Sequence, residues 1–117
     1  MDLIERTSDK ATILTLRGDF TFTARNDFTA VVKTAWAGGC LHLIVNLEGV
    51  RFVDSAALGL LALTQSQCNL NHRRLSLVRP QPYVEEILRL ANIHLLITIY
   101  ASEEAALAGK VPLPASA

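Results

Sequence analysis

The sequence predicts an α/β domain in which an N-terminal β-hairpin is followed by βα units. They form a mixed sheet of four to five strands with helices packed on it. Two observations carry this expectation. Segments with helical apolar spacing alternate with short β-branched runs along most of the chain, and such alternation requires parallel pairing with crossover helices. The run L-H-L-I-V-N-L, residues 41 to 47, is apolar through its middle, the pattern of a strand covered on both faces.

The elements follow in order. Leu3 to Arg6 pairs antiparallel, through the S-D-K turn, with a strand over 11 to 17 that ends at Gly18. Thr23 caps a helix whose stripe is Phe28, Val31, Val32, Ala35 and Trp36. Gly38-Gly39 ends it. After the strand 41 to 47, a helix over 56 to 70 is alanine and leucine nearly all round, so deep packing is expected, with Leu58 to Leu63 in the core beside Trp36. Leu75 to Val78 is the next strand, and Pro82 opens a helix with Val84, Ile87, Leu88 and Ala91 on its apolar side. Leu95 to Tyr100 is the last strand. Ser102 caps a short helix with Glu103 and Glu104 in its first turn, closed by Gly109. The expected order is β-β-α-β-α-β-α-β-α, with 1–109 one domain and 110–117 a flexible C-terminal tail.

Composition narrows the partners. Half of the 117 residues are hydrophobic, so the chain has enough apolar material for a core. Eleven basic residues balance eleven acidic ones, which argues against nucleic acid or an anionic membrane as the partner. Cys40 and Cys68 fit neither a metal nor a redox motif, and no phosphate-cradling glycine loop is present. No metal and no cofactor is therefore expected. The N-terminus has no apolar signal segment, and no apolar run approaches the roughly 18 residues of a membrane span. The reading is a cytoplasmic monomer with reduced thiols.

In a parallel sheet the loops leaving the strand C-termini gather on one edge, where helix N-termini point free N–H groups at ligands. Three loops should meet there: Arg17 to Phe22, Arg51 to Ser55, and Arg79 to Pro82. His72-Arg73-Arg74 belongs to the opposite edge and reads as a solvated turn. Asp54-Ser55 thus lies on the loop-rich edge at the mouth of the longest helix. The ordinary reading of Ser55 is a helix cap worth on the order of 1 kcal/mol. The same position suits a phosphate, because a helix N-terminus tolerates added negative charge. Catalysis by Ser55 is not expected, since V-D-S-A-A lacks the glycines of a nucleophile elbow and none of His42, His72 and His94 is placed to serve it.

The stretch L-I-V-N-L-E-G-V-R-F-V-D-S-A-A-L-G-L-L, residues 43 to 61, resembles the central signature of STAS domains, specifically of bacterial anti-sigma-factor antagonists. Their usual form is an apolar strand, then D-S-S-G-L-G or a variant, then a leucine-rich helix. L-x-L-x-G-D-F before the first helix, P-x-V-E-E-I-L-R-L-A-N-I from Pro82 and S-E-E-A-A-L from Ser102 extend the likeness across nearly the whole chain. The resemblance implies that Ser55 is phosphorylated by a GHKL-type partner that is both anti-sigma factor and serine kinase. It also implies that unmodified antagonist binds this partner and frees the sigma factor, that the phosphorylated form does not bind, and that a serine phosphatase resets it. The implied partner-binding face is Asp19, Thr21, Asp54, Ser55, Ala56, Leu58 and Gly59. Departures are Ala56 for the second motif serine, Ala57 for glycine, and Thr21 where relatives often carry aspartate. The alternative is a constitutive docking subunit of a lipid-transporting ABC system or another regulatory complex, with Ser55 only a cap. A sensor of a nucleotide or small anion has no specific residue behind it.

Overall fold

The computed structural model describes residues 1–109; the tail expected at 110–117 lies outside the described residues. β1 (Asp2–Ser8) and β2 (Ala11–Phe20) form the antiparallel hairpin. Its turn is reached through Asp9 at φ 55°, a left-handed conformation that aspartate tolerates. β3 (His42–Val53), β4 (Arg74–Val78) and β5 (Thr98–Tyr100) then add in parallel, giving the order β1-β2-β3-β4-β5. The helices α1 (Arg25–Ala37), α2 (Ser55–Leu70), α3 (Pro82–Leu90) and α4 (Glu103–Ala108) alternate with the strands. This is the expected α/β architecture with a mixed five-stranded sheet.

Strand alternation divides the core in two. Leu14, Leu16, Leu43, Val45, Leu47, Leu75, Leu77 and Ile99 pack with Phe28 and Val32 of α1, Ala57 and Leu61 of α2, and Val84 and Leu88 of α3. Their sequence neighbours Ile13, Ile44, Val78 and Tyr100 face the other way, against Ala106 of α4. Three helices therefore cover one face and α4 part of the other. On that second face Arg6 Nη2 donates to both Glu103 carboxylate oxygens (2.8 and 2.7 Å), and Asn46 Nδ2 donates to Oε2 at 2.7 Å. Burial raises the Glu103 carboxyl, but the Arg6 and Asn46 bonds outweigh it and leave the group below its usual range.

Several expected boundaries are corrected. β2 does not stop at Gly18, and β3 runs on to Val53 instead of ending at Leu47, because the two strands pair beyond those points through register shifts at Thr15/Arg17 and Gly18/Asp19. Gly18 takes φ 102° there, and a Cβ on Gly49 would lie 2.9 Å from Arg17 Cγ and 3.0 Å from Leu16 O. Thr23 does not cap α1. A 3-10 turn, Phe22–Ala24, intervenes, Ala24 sits at the cap position, and the Thr21 and Thr23 hydroxyls bond each other at 3.1 Å. Ala91 is exposed, since α3 ends at Leu90 and Asn92 turns the chain at φ 60°. β5 is only three residues long, because a second 3-10 turn, Ile93–Leu95, precedes it and drops Ile93 and Ile97 into the core. Leu63 is 49% exposed although it closes the run L-L-A-L, expected in the core.

The histidine–arginine run is no simple solvated turn. Only His72 turns there, at φ 56°. Arg73 Nε donates to Cys40 O at 3.1 Å, and its guanidinium lies over the Trp36 ring, 5.4 Å from the centroid. Arg74 begins β4 and donates to the Tyr100 hydroxyl at 3.3 Å. Trp36 is half-buried at the core margin, and Cys40 and Cys68 are buried and free. The fully buried rings of Phe20 and Phe28, centroids 5.3 Å apart, tie the end of β2 to α1. Such pairs contribute about 0.5–1.5 kcal/mol beyond area burial.

His42 Nε2 lies 2.7 Å from the buried Ser76 Oγ. Burial, and then the Arg74 charge, lower its pKa from 6.5 to about 4. The unfolded chain takes up a proton as pH falls through 6.5, while the folded chain resists until about 4, so stability is lost across that window. Tm should fall as pH drops from 7 to 4.5, and His42→Gln should flatten the decline in calorimetric or circular-dichroism melts.

Candidate functional site

β2, β3 and β4 run parallel, so their C-terminal ends point the same way. The 17–22 and 51–55 loops meet at Asp54. The 79–82 loop, expected to join them, lies beside Glu48, because β4 ends opposite Asn46 while β3 runs on to Val53. β3 delivers Val53 to the core and leaves Asp54 as the first residue outside the strand, in extended conformation (φ −101°, ψ 177°). Asp54 is the N-cap of α2. Its Oδ1 accepts from Ala57 N at 2.8 Å, and its Oδ2 accepts from Phe22 N, across the edge, at 3.0 Å. Asp54 N donates to Phe20 O at 3.3 Å. One side chain thus closes α2 and pins the 3-10 turn of the neighbouring loop. The Ala57 bond, followed by the Phe22 bond, holds the Asp54 carboxyl below its usual range.

This corrects the expected role of Ser55. The serine is the first residue of α2, not its cap; its side chain is exposed, and among the described residues its hydroxyl makes no hydrogen bond. The capping job is done one residue earlier. Ser55 is therefore a hydroxyl at the N-terminal end of a long helix, beside a carboxylate whose two oxygens each already hold a backbone N–H.

The other predicted residues flank this pair on two sides. On one, Asp19 faces Arg51 at 3.6 Å, both exposed, and a shallow depression joins them to Thr21, Thr23 and Arg17. On the other, Ala56 and Gly59 border a depression with Arg25, Leu60 and Leu63. Leu58 is half-buried and packs on the core, so only part of it is available. The third loop contributes a separate cluster in which Arg79, at φ 55°, pairs with Glu48, and Gln81 Nε2 donates to Glu48 O. Sequence reasoning missed Phe22 and Phe52, which are 65% and 41% exposed. Their signal was present: aromatic side chains next to the polar motif with no place in either apolar stripe. Arg25 was missed for want of any motif.

Gly59 needs no special backbone. Its φ is not positive, and an added Cβ would meet nothing within 4 Å. Gly59→Ala should therefore stabilise the fold by about 0.5–1 kcal/mol in denaturant titrations. Ser55→Ala should leave stability within roughly 0.5 kcal/mol of wild type. Asp54→Ala should lower Tm clearly more, and Asp54→Asn should fall between, since an amide has one acceptor oxygen for the two N–H groups.

The STAS-domain family profile matches residues 3–106. Among solved structures, a candidate anti-sigma factor antagonist from Thermotoga maritima superposes with TM-score 0.84 at 21% identity, covering 92% of each chain. The anti-sigma factor antagonist SpoIIAA in its unphosphorylated form gives TM-score 0.77 at 22% identity, over 94% of this chain and 99% of that one. A sulfate transporter family protein from Wolinella succinogenes gives 0.77 at 16%, over 89% and 87%. At these identities the structural likeness speaks to the fold, and the fold agrees with the profile: the chain belongs to the STAS-domain family.

Proposed function

We propose that the chain is an anti-sigma-factor antagonist working as a phosphorylation-controlled partner switch. The observation that carries the reading is the division of labour at residues 54 and 55. Asp54 supplies the cap, and Ser55 offers an exposed hydroxyl that makes no hydrogen bond among the described residues. Modification there removes no contact on which the domain depends. The likeness to SpoIIAA, solved both unphosphorylated and phosphorylated, supports the same reading.

In this mechanism the Ser55 oxygen attacks the γ-phosphorus of ATP held by a GHKL-type kinase that is also the anti-sigma factor. The bond to the β-phosphate oxygen breaks, ADP leaves, and the hydroxyl proton passes to the kinase. The antagonist contributes the acceptor and the docking face of Asp19, Thr21, Asp54, Ala56, Leu58 and Gly59; it supplies no catalytic residue and no cofactor. Phosphoserine brings about −1.5 to −2 charges at pH 7. The Asp54 carboxylate repels that charge, while the α2 dipole and first-turn N–H groups accept it. The phosphate projects into the docking face, the complex dissociates, and the partner returns to the sigma factor. A serine phosphatase restores the unmodified state. In this reading the domain acts as a cytoplasmic monomer.

One observation favours a second reading. The fold also matches a sulfate transporter family protein, and a constitutive docking subunit of a transporter or regulatory complex would use the same edge with no phosphate.

Incubation with ATP and a cognate kinase should add one phosphoryl group by intact mass spectrometry, and Ser55→Ala should add none. Absence of the adduct on wild type would favour the docking subunit. Ser55→Asp should melt like wild type yet bind the anti-sigma partner about tenfold or more weakly in calorimetric titration.

A further inference from the structure

The depression beside Ala56 and Gly59 continues as a groove between α1 and α2, and Arg25, Leu60 and Leu63 line both parts. Arg25 stands at its mouth, Lys33 partway along and Trp36 toward its far end. Neither Arg25 nor Lys33 has an ion-pair partner among the described residues, and no carboxylate lines the groove. A third cation, Arg73, lies over the Trp36 ring. In a chain with eleven acidic and eleven basic residues, this is a local positive field facing partly exposed apolar surface.

The groove also fixes the form of what fills it. Its walls are helices whose backbone groups are bonded internally, so they offer no strand edge, and an occupant must satisfy its own backbone, as a helix does. Gly59 sits on the wall in a helical conformation with open space where a Cβ would be. The fold gains nothing from that glycine, whereas an approaching helix backbone gains close contact. Leu63, exposed on the same wall, supplies the apolar anchor.

We infer that the groove between α1 and α2 seats an acidic amphipathic helix of a partner protein, with its leucine face on Leu63 and Trp36 and its carboxylates toward Arg25 and Lys33. The inference rests on the reading of the α2 N-terminus as a protein-docking face and extends it to a second stretch of surface with its own chemistry.

The test uses the full chain and two designed helical peptides, one with leucines along one face flanked by glutamates, the other with lysines in place of the glutamates. Trp36 is the chain's one tryptophan, so its emission reports on the groove, and amide shifts map the contact. The acidic peptide should perturb Trp36, Thr29, Gly59 and Leu63, weaken with salt, and bind at least about tenfold more tightly than the lysine peptide. Lys33→Glu and Gly59→Leu should each reduce binding by roughly tenfold. Open space at residue 59 allows the larger side chain to fold, which a thermal melt confirms. Equal binding of both peptides, shifts outside the groove, or indifference to Gly59→Leu would overturn the inference. A groove that ignores the acidic peptide in a chain whose Ser55 still takes phosphate overturns the groove alone; peptide binding by a chain that takes none overturns the switch alone.

Discussion

The Asp54 carboxylate is the interaction on which the edge of this domain depends. One oxygen closes the first turn of α2 through Ala57 N, and the other reaches Phe22 N in the preceding loop. Two connections distant in sequence are thereby held as one surface. A neutral cap such as serine can close the helix, but a single hydroxyl offers no comparable pair of oxygens spread toward two donors. The acid is also already committed, so its charge is a fixed part of the local field.

That commitment frees its neighbour. In the proposed switch, a phosphate on Ser55 changes the charge and volume of the docking face while the bonds to Ala57 and Phe22 persist. The signal is then a change in what a partner meets, with the scaffold constant. In the same proposal the two flanking depressions divide the remaining work. Asp19 and Arg51 present paired charge on one side, whereas Ala56 and Gly59 open on the other into a groove lined by Arg25 and Lys33, which have no ion-pair partner among the described residues. The first favours polar recognition and the second close apolar contact with acidic flanks.

Much of this was legible in the sequence, and the failures have specific causes. The stripe of α1, the proline at the start of α3 and the Ser102 cap were readable because each is a local rule that tertiary structure left alone. The extension of β3 through E-G-V-R-F-V was not, because polar residues and a glycine mask a strand whose existence depends on irregular pairing with β2. That error carried into the cap. Aspartate and serine are both strong N-cap residues, and only the strand ending at Val53 decides that Asp54 holds the position. Leu63 reads as core in the sequence because it closes the run A-A-L-G-L-L-A-L, which is apolar or glycine throughout and gives no periodicity by which to choose an exposed side. The common direction of the three loops followed from topology alone, but the third stops beside Glu48 because β3 outruns β4. The bridge from Asp54 to Phe22 joins residues 32 apart and has no sequence signature.

The two margins of the sheet have a consequence for how the domain behaves in a crowded solution. With a formal net charge of zero at pH 7, molecules of this chain gain no long-range mutual repulsion to keep them dispersed. Resistance to edge-to-edge growth must then come from the edge strands themselves. One margin, β5, is three residues long, too short to template an added strand; the other, β1, carries Asp2, Glu5 and Arg6, with Arg6 fastened to Glu103. Charged side chains and short edges disfavour intermolecular strand pairing. Colloidal stability in this domain is thus a property of its perimeter, and neutralising β1 would expose it to assembly without touching the core.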